Sequence, residues 1–343
     1  MKIAVIGAGA WGSTLAQHLN KNRHQITLWE FDKSRLEYLK NRRHPLFFPH
    51  VKLSKNIAIT NNIAHAVTKK DIVILAVPSQ TMRDTAKKIK KYINPALSEK
   101  SLRKGGVNKN QIFVIVSKGI EIKTGKLLSE VIKEELNLIA PKNIVALSGP
   151  SFAKEIAQGL PTTMVSAGDK KNSEIIQKIF SQPFLRIYTN SDIIGVEIGG
   201  AVKNVIAIAA GIAYGMGLGD NAAAAIITRG LVEVARLGVK LGAKKETFAG
   251  LTGMGDLVMT ATSSNSRNKN FGELVGSGLS VKNAIKKIGM IVEGVSTAEA
   301  VVKLSKKLKI EMPITNEVHK IIFENKNPKN AILSLMMRNT KPE

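Results

Sequence analysis

The sequence predicts an α/β amino-terminal domain on a parallel, doubly wound sheet, followed by an all-α carboxy-terminal domain. Three observations predict it. Strand-like and helix-like stretches alternate up to about residue 190. Several strands read as continuous apolar runs, as parallel strands buried on both faces do. Beyond Asp192 only helical patterns remain. A length of 343 residues also suggests two domains, since single cores seldom grow past ~250–300 residues.

The chain opens on Lys2-Ile3-Ala4-Val5-Ile6, a short apolar strand, followed without a gap by Gly7-Ala8-Gly9-Ala10-Trp11-Gly12 and a helix over 13–21. Strand, GxGxxG, helix is the order a dinucleotide site requires. Gly7 permits the tight turn, Gly9 lets the backbone approach a pyrophosphate, and Gly12 lets the helix pack on the strand. The helix start offers unpaired N–H groups and a positive dipole end to phosphates. A Rossmann-type domain is therefore expected. The next strand spans 25–30, the next helix 34–43, and a short strand 57–60. The apolar run 71–77 ends at Pro78; 112–117 and 144–148 repeat that form, and 162–167 and 185–189 follow as later strands. Such βα alternation implies parallel pairing throughout. Residues 91–111 read as a polar surface loop.

The stretch 193–214 is almost wholly apolar or small. Glu197, Lys203 and Asn204 argue against a membrane span, because a mid-span charge costs ~2.5–3.5 kcal/mol. A buried helix between two domains is expected instead. Helical patterns continue at 222–241, 281–288, 297–308 and 314–324. The domains are placed at 1–190 and 191–343.

Composition narrows the function classes. The chain has no cysteine, which rules out disulfides and thiolate metal sites. Its six histidines show no ligand spacing, so no metal is assigned. The amino terminus lacks a secretory pattern, and a cytoplasmic location is expected. The net charge of +25 is spread over the polar faces of many helices, and aromatics make up only 5%. A basic surface that draws in anionic substrates is expected rather than a nucleic-acid binder.

Lys203 is the leading chemical candidate. It lies mid-helix among Val202, Val205 and Ile206. Gly199 and Gly200 lie on the preceding turn, where they would clear space beside the ammonium. A desolvated lysine exchanges its proton near neutrality; the alternative is a lysine snorkelling from a helix edge. Asn204, on one face with Glu197, could position a hydroxyl or be a satisfied core amide. Asp256, in Gly253-Met254-Gly255-Asp256, is either at or near a helix cap or the carboxylate that holds Lys203, with Thr260 one turn on. The stretch Ser263-Ser264-Asn265-Ser266-Arg267-Asn268 suits an oxyanion through its arginine, or is a polar turn. Lys118 closes a buried strand, at the end where the ligand crevice of such folds lies, or is an edge lysine. Gly149 and Ser151 sit at that same rim, in a segment that could equally be a strand-to-helix cap.

Together these motifs resemble one family, the NAD(P)-dependent glycerol-3-phosphate dehydrogenases of bacterial type. They occur in order: GAGAWG at 7–12, VPS at 77–79, SKG at 117–119, SGPSFA at 148–153, EIGGAVKNVIAIAAG at 197–211, GLGDNAAAAIITRG at 217–230, LTGMGDL at 251–257, NSRN at 265–268 and VEG at 292–294. The resemblance implies reversible hydride transfer between the nicotinamide and dihydroxyacetone phosphate, giving sn-glycerol 3-phosphate for phospholipid synthesis. It makes Lys203 the proton donor and acceptor, and surrounds it with Lys118, Asn204, Asp256 and Thr260. It makes Lys118, Gly149, Ser151, Lys203, Asp256, Ser266, Arg267 and Asn268 substrate contacts. Cofactor contacts are implied at Gly7, Gly9, Ala10, Trp11, Gly12, Phe31, Lys118, Ala153, Arg267, Ile291 and Glu293. Ala10 stands where relatives often carry serine. Another Rossmann-plus-helical dehydrogenase, of β-hydroxyacid or ketopantoate reductase type, is the alternative; the phosphate-binding NSRN argues against it.

Cofactor choice is divided. Glu30, 18 residues after Gly12, can accept from ribose hydroxyls and repel a 2′-phosphate, whereas Lys33 and Arg35 offset that repulsion. Use of both NAD and NADP with a lean toward NAD is expected. The expected partners are a phosphorylated small molecule and, as an allowed assembly, a homodimer; neither nucleic acid nor a membrane span is expected.

Overall fold

The computed structural model describes residues 1–93 and 110–340. The chain forms two compact units, Met1–Ser117 with Leu128–Ile193, and Lys118–Leu127 with the chain from Ile194 onward. A single crossing near 190 is thus replaced by three. The ten residues 118–127 leave the first unit because Ile120 and Leu127 bury their side chains in the helical core, beside Ile198, Val202 and Val301.

The first unit is built on one sheet: β1 (Lys2–Ile6), β2 (Gln25–Trp29), β3 (Ala58–Thr60), β4 (Ile72–Leu75), β5 (Ile112–Ile115), β6 (Ile144–Ser148), β7 (Thr162–Ala167) and β8 (Leu185–Asn190). Among the described residues the spatial order is β3-β2-β1-β4-β5-β6-β7-β8. Alternation decides which face of the sheet each side chain covers. Ile3 and Val5 pack with Leu15, Leu19 and Phe180 on one face; Ala4 and Ile6 pack with Ala86, Ile89 and Val131 on the other. Both faces are therefore apolar, as doubly covered strands require. The order turns back between β1 and β4, so their carboxyl ends flank the crevice where such sheets bind ligands.

One expectation fails here: β6 and β7 pair antiparallel, with Ala146 opposite Ala167 and Ser148 opposite Val165. The connection between them holds only the five-residue α6 (Ala153–Ala157). At 1.5 Å per residue it rises about 7.5 Å, too little to carry the chain back along a strand of about 17 Å. The other helices of this unit are α1 (Ala10–Lys21), α2 (Lys33–Arg42), α3 (Ile63–Val67), α4 (Met82–Ile93), α5 (Leu128–Glu135) and α7 (Lys170–Phe180). Residues 91–93, expected in a loop, are the last turn of α4, because Ile89 and Ile93 lie one turn apart on its buried face. The loop's residues 94–109 lie outside the described residues.

The second unit is helical: α8 (Ile193–Gly215), α9 (Gly219–Lys240), α10 (Asp256–Thr262), α11 (Arg267–Gly276), α12 (Val281–Ile288), α13 (Glu293–Leu308), α14 (Pro313–Phe323) and α15 (Pro328–Met336). α8 is long and apolar enough to cross a membrane, yet 89% of its most apolar window is buried inside the protein. α8 and α11 touch backbone to backbone. A Cβ on Gly211 or Gly215 would come within 2.1–2.2 Å of the carbonyls of Lys269 and Glu273, and one on Gly272 or Gly276 within 2.2 Å of those of Ile208 and Ile212. Four glycines thus fix the depth and register at which α11 lies on α8.

Candidate active site

In the first unit the loop between β1 and α1 is made of backbone. Gly7 has φ +111°, and a Cβ there would stand 2.6 Å from the carbonyl oxygen of Ala76. A Cβ on Gly12 would stand 1.9 Å from the Gly7 carbonyl oxygen. At Gly9 an added Cβ would meet nothing within 4 Å, so this glycine keeps open a space that a side chain would fill. Gly9 is the N-cap of α1 and has no side chain to cap it. The first N–H groups of α1 therefore remain available to an anion. These residues fit a dinucleotide pyrophosphate. Ala10 opens α1, and Trp11 is half-buried against the core beside it. Phe31 is 64% exposed, with its ring centre 6.3 Å from that of Trp29. Glu30 is buried; its Oε1 accepts from the Asp32 N–H at 3.1 Å, and burial raises its pKa. After β6, Gly149 adopts φ +133° and Ser151 donates its hydroxyl to the Gly149 carbonyl at 3.0 Å. Ala153 begins α6, after Phe152, which has no capping side-chain bond.

In the second unit three charged side chains converge. Lys203 Nζ donates to Asp256 Oδ1 at 2.6 Å and to Thr260 Oγ1 at 2.5 Å. Lys118 Nζ donates to the other carboxylate oxygen, Oδ2, at 2.6 Å. Lys203 is 5% exposed and Asp256 fully buried. Burial, opposed by Asp256 and aided by the nearby Lys118 charge, pulls the Lys203 pKa down to about 7. A snorkelling Lys203 and an edge-strand Lys118 are both excluded by this geometry. β5 ends at Ile115, so Lys118 does not close it; the lysine belongs to the ten-residue excursion into the second unit.

Asp256 lies next to the cap, which is Gly255. It is the first helical residue of α10, with φ −71° and ψ −31°, following a π-helical turn over Leu251–Gly255. Its carboxylate turns to the lysines, and Thr260 lies on the same face, 3.4 Å from Oδ1. Gly199 also has a different use from the one expected. Its missing Cβ leaves room for the Thr252 carbonyl, which would lie 2.4 Å from it. The glycine admits the turn that delivers Asp256.

The stretch 263–268 is a turn that becomes a helix start. Ser266 is buried and caps α11, its hydroxyl accepting from the Lys269 N–H at 3.2 Å. The N–H groups of Arg267 and Asn268 open the helix, where no intrahelical acceptor exists. Arg267 is exposed and donates Nη1–H to the Ile291 carbonyl at 2.9 Å. Asn268 donates Nδ2–H to Asn204 Oδ1 at 2.9 Å and accepts from the Gly294 N–H through Oδ1 at 2.9 Å. Ile291 is exposed, and Glu293 begins α13. Sequence reasoning missed Gly294, whose Cβ would stand 2.7 Å from the Asn204 carbonyl oxygen. The glycine of the VEG motif was the available signal. Glu197 is buried on α8.

Two regions of the chain match family descriptions. Residues 2–174 match the amino-terminal part of NAD-dependent glycerol-3-phosphate dehydrogenase, and residues 192–333 its carboxy-terminal part. The chain belongs to the NAD-dependent glycerol-3-phosphate dehydrogenase family. A family relative from Thermoanaerobacter sp. (strain X514), a glycerol-3-phosphate dehydrogenase (NAD(P)+), is 46% identical over 344 residues, covering 100% of this chain and 99% of its own. One from Fusobacterium nucleatum is 46% identical over 345 residues, covering 100% and 98%. The crystal structure of the Coxiella burnetii glycerol-3-phosphate dehydrogenase superposes with TM-score 0.90 at 33% identity, covering 98% of this chain and 99% of that one.

Proposed function

We propose that this glycerol-3-phosphate dehydrogenase family member catalyses reversible reduction of dihydroxyacetone phosphate to sn-glycerol 3-phosphate with Lys203 as proton donor and acceptor. The observation that carries the reading is a buried ammonium with pKa near 7, held by one carboxylate and one hydroxyl. When bound, the nicotinamide supplies or accepts the hydride. In the reducing direction the C2 oxygen gathers negative charge, and Lys203 donates a proton to it. In the oxidising direction neutral Lys203 takes the hydroxyl proton. Asp256 holds Lys203 in place and offsets its charge; Thr260 accepts from it and fixes the ammonium's direction. Arg267, with the N–H groups at the start of α11, binds the substrate phosphate. Asn204 and Asn268 set the position of that helix start, and Lys118 supplies a second cation for the substrate.

Gly7, Gly9, Ala10, Trp11 and Gly12 would hold the cofactor's pyrophosphate, and exposed Phe31 would contact the adenine. Glu30 would accept from the ribose hydroxyls and so favour NAD, with NADP also used. Gly149, Ser151, Ala153, Ile291 and Glu293 complete the contacts. Residues 1–117 with 128–193 act as the cofactor part and residues 118–127 with the chain from 194 onward as the catalytic part, and the product feeds phospholipid synthesis in the cytoplasm. The test is to follow NADH and NADPH oxidation with dihydroxyacetone phosphate. Turnover is expected with both, faster with NADH; turnover with neither overturns the reading.

A further inference from the structure

The two most exposed large apolar side chains of the described residues stand side by side on the second unit. Met336 is 78% exposed and Met337 83%. Leu333, 49% exposed, precedes them by three and four positions, so all three lie on one face of α15. Ala331, which α15 buries, is on the opposite face. Single exposed apolar residues are ordinary, but several on one helix face mark a surface that meets a partner.

Cations rim this face. Arg338 follows Met337 directly, and its Nη2 donates to Glu311 Oε2 at 3.0 Å. Arg236 of α9 donates to the carbonyl of the same Glu311. Exposed Val232 and Val239 flank Arg236 on α9, four residues before it and three after. Exposed Lys309 stands two residues before Glu311, within about 7 Å along the chain. Exposed Lys306 and Lys307 lie in the last turn of α13, just ahead of it. Glu311, the acid among these residues, is already held by Arg338. The face is thus apolar in the middle and positive at its edge.

That combination selects the partner. A second copy of the chain would set the same cations against one another across a two-fold contact. A nucleic acid would satisfy the cations and leave the methionines facing sugar and phosphate. An anionic bilayer satisfies both parts. Its headgroups attract lysine and arginine, and its acyl boundary accepts apolar side chains. Methionine, unbranched and adaptable, suits that fluid boundary. We propose that this face docks the protein reversibly on a bilayer rich in anionic phospholipid. Leu333, Met336 and Met337 enter the acyl boundary, while Lys306, Lys307, Lys309 and Arg338 lie among the headgroups. The nine residues of α15 rise about 13.5 Å, far less than the ~30 Å hydrocarbon core, so the helix lies on the bilayer and does not cross it.

The whole protein is sedimented with vesicles of equal parts phosphatidylglycerol and phosphatidylcholine, and with vesicles of phosphatidylcholine alone. Saturable binding to the first and little to the second is expected. Raising NaCl from about 0.1 M to about 1 M shortens the reach of charge from ~10 Å to ~3 Å and should weaken binding at least about tenfold. Met336→Ser with Met337→Ser should weaken it about tenfold. Lys306→Glu, Lys307→Glu and Lys309→Glu together should abolish it. All five side chains are exposed and lie outside the proposed catalytic residues, so Tm and kcat are expected to stay at the parent values. Exposed Lys170, Lys171 and Lys178 of α7 serve as the control. Changing these three to Glu removes as much charge from the other unit and should leave most of the binding. Equal loss in the two triple variants would mean that the whole surface of net charge +25 binds, and would overturn the site. No vesicle binding, or binding that the methionine variant leaves unmoved, also overturns it. So does a dimer in sedimentation velocity that the methionine variant splits, or a DNA duplex bound more tightly than the vesicles. The vesicle assay needs no turnover, so a failed dehydrogenase assay leaves its outcome readable.

Discussion

The glycine loop of the first unit and the lysine–aspartate cluster of the second prepare for charged molecules by opposite means. At Gly7, Gly9 and Gly12 the protein removes side chains and offers backbone N–H groups. At Lys203 and Asp256 it buries ionisable side chains, with half-buried Lys118 beside them, and lets them hold one another. Backbone donors cannot change protonation, so the first arrangement can bind and orient but cannot exchange a proton. The second is costly in desolvation, and that same cost brings Lys203 to a pKa at which it can act as acid and base. Binding and proton chemistry are thereby assigned to different materials.

The comparison breaks first at Lys203. Lys203→Ala is expected to lower kcat by about 10²–10⁴-fold and to leave NADH affinity, measured by fluorescence titration, near the parent value. More than about 10% residual kcat would exclude general acid catalysis by this lysine. Arg267→Ala comes next. It should raise KM for dihydroxyacetone phosphate by about 10²–10³-fold and erase discrimination against unphosphorylated dihydroxyacetone. Equal discrimination in parent and variant would remove the phosphate assignment.

The glycines sharpen the contrast from the other side. Gly12→Ala forces the Gly7 carbonyl to move and should cost about 1–3 kcal/mol of stability, read as a lower Tm, together with cofactor binding. Gly9→Ala places its methyl in open space; Tm should hold while KM for the cofactor rises. If both variants behave alike, the loop is a packing feature only.

The pH profile tests the proton chemistry. With a pKa near 7, the protonated fraction of Lys203 falls as pH rises through that value. Single-turnover reduction, which needs the proton, should slow about tenfold per unit above it, while oxidation, which needs neutral lysine, should quicken and level off. Profiles with the same sign in both directions would rule this out. The smallest effect is expected at Glu30. Glu30→Gly should shift the NADPH/NADH ratio of kcat/KM upward by a few fold; an unchanged ratio means that its bond to the Asp32 N–H, and not a ribose, is its whole role.

The two regions also differ in how far they could be read from sequence. GAGAWG declares its own neighbours, because strand, turn and helix are contiguous. Lys203 was visible as a charge inside an apolar helix, but its partners stand 53 and 57 residues away in sequence, so the residues alone left Asp256 open between a cap and a partner, and folding decides it. Gly199 announced a missing side chain without saying what fills the gap; the Thr252 carbonyl does. α10 has only seven residues and α11 begins inside a polar stretch, so no apolar period marks them. The reversal at β7 left no trace in composition, since antiparallel and parallel buried strands use the same residues. What betrayed it afterwards was the length of α6.

The excursion of residues 118–127 gives the two halves of the molecule unequal schedules during synthesis. Strand β8 emerges from the ribosome near residue 190, and the sheet is then complete. Ile120 and Leu127 emerge some seventy residues before it, yet the helices they pack against are translated only later. At about 5–20 residues per second, this segment, with Ile120 and Leu127 uncovered, waits several seconds without its core, joined at both ends to the first unit. Proteins that shield nascent chains would find their purchase there, and cutting the gene near codon 190 would leave the segment permanently stranded.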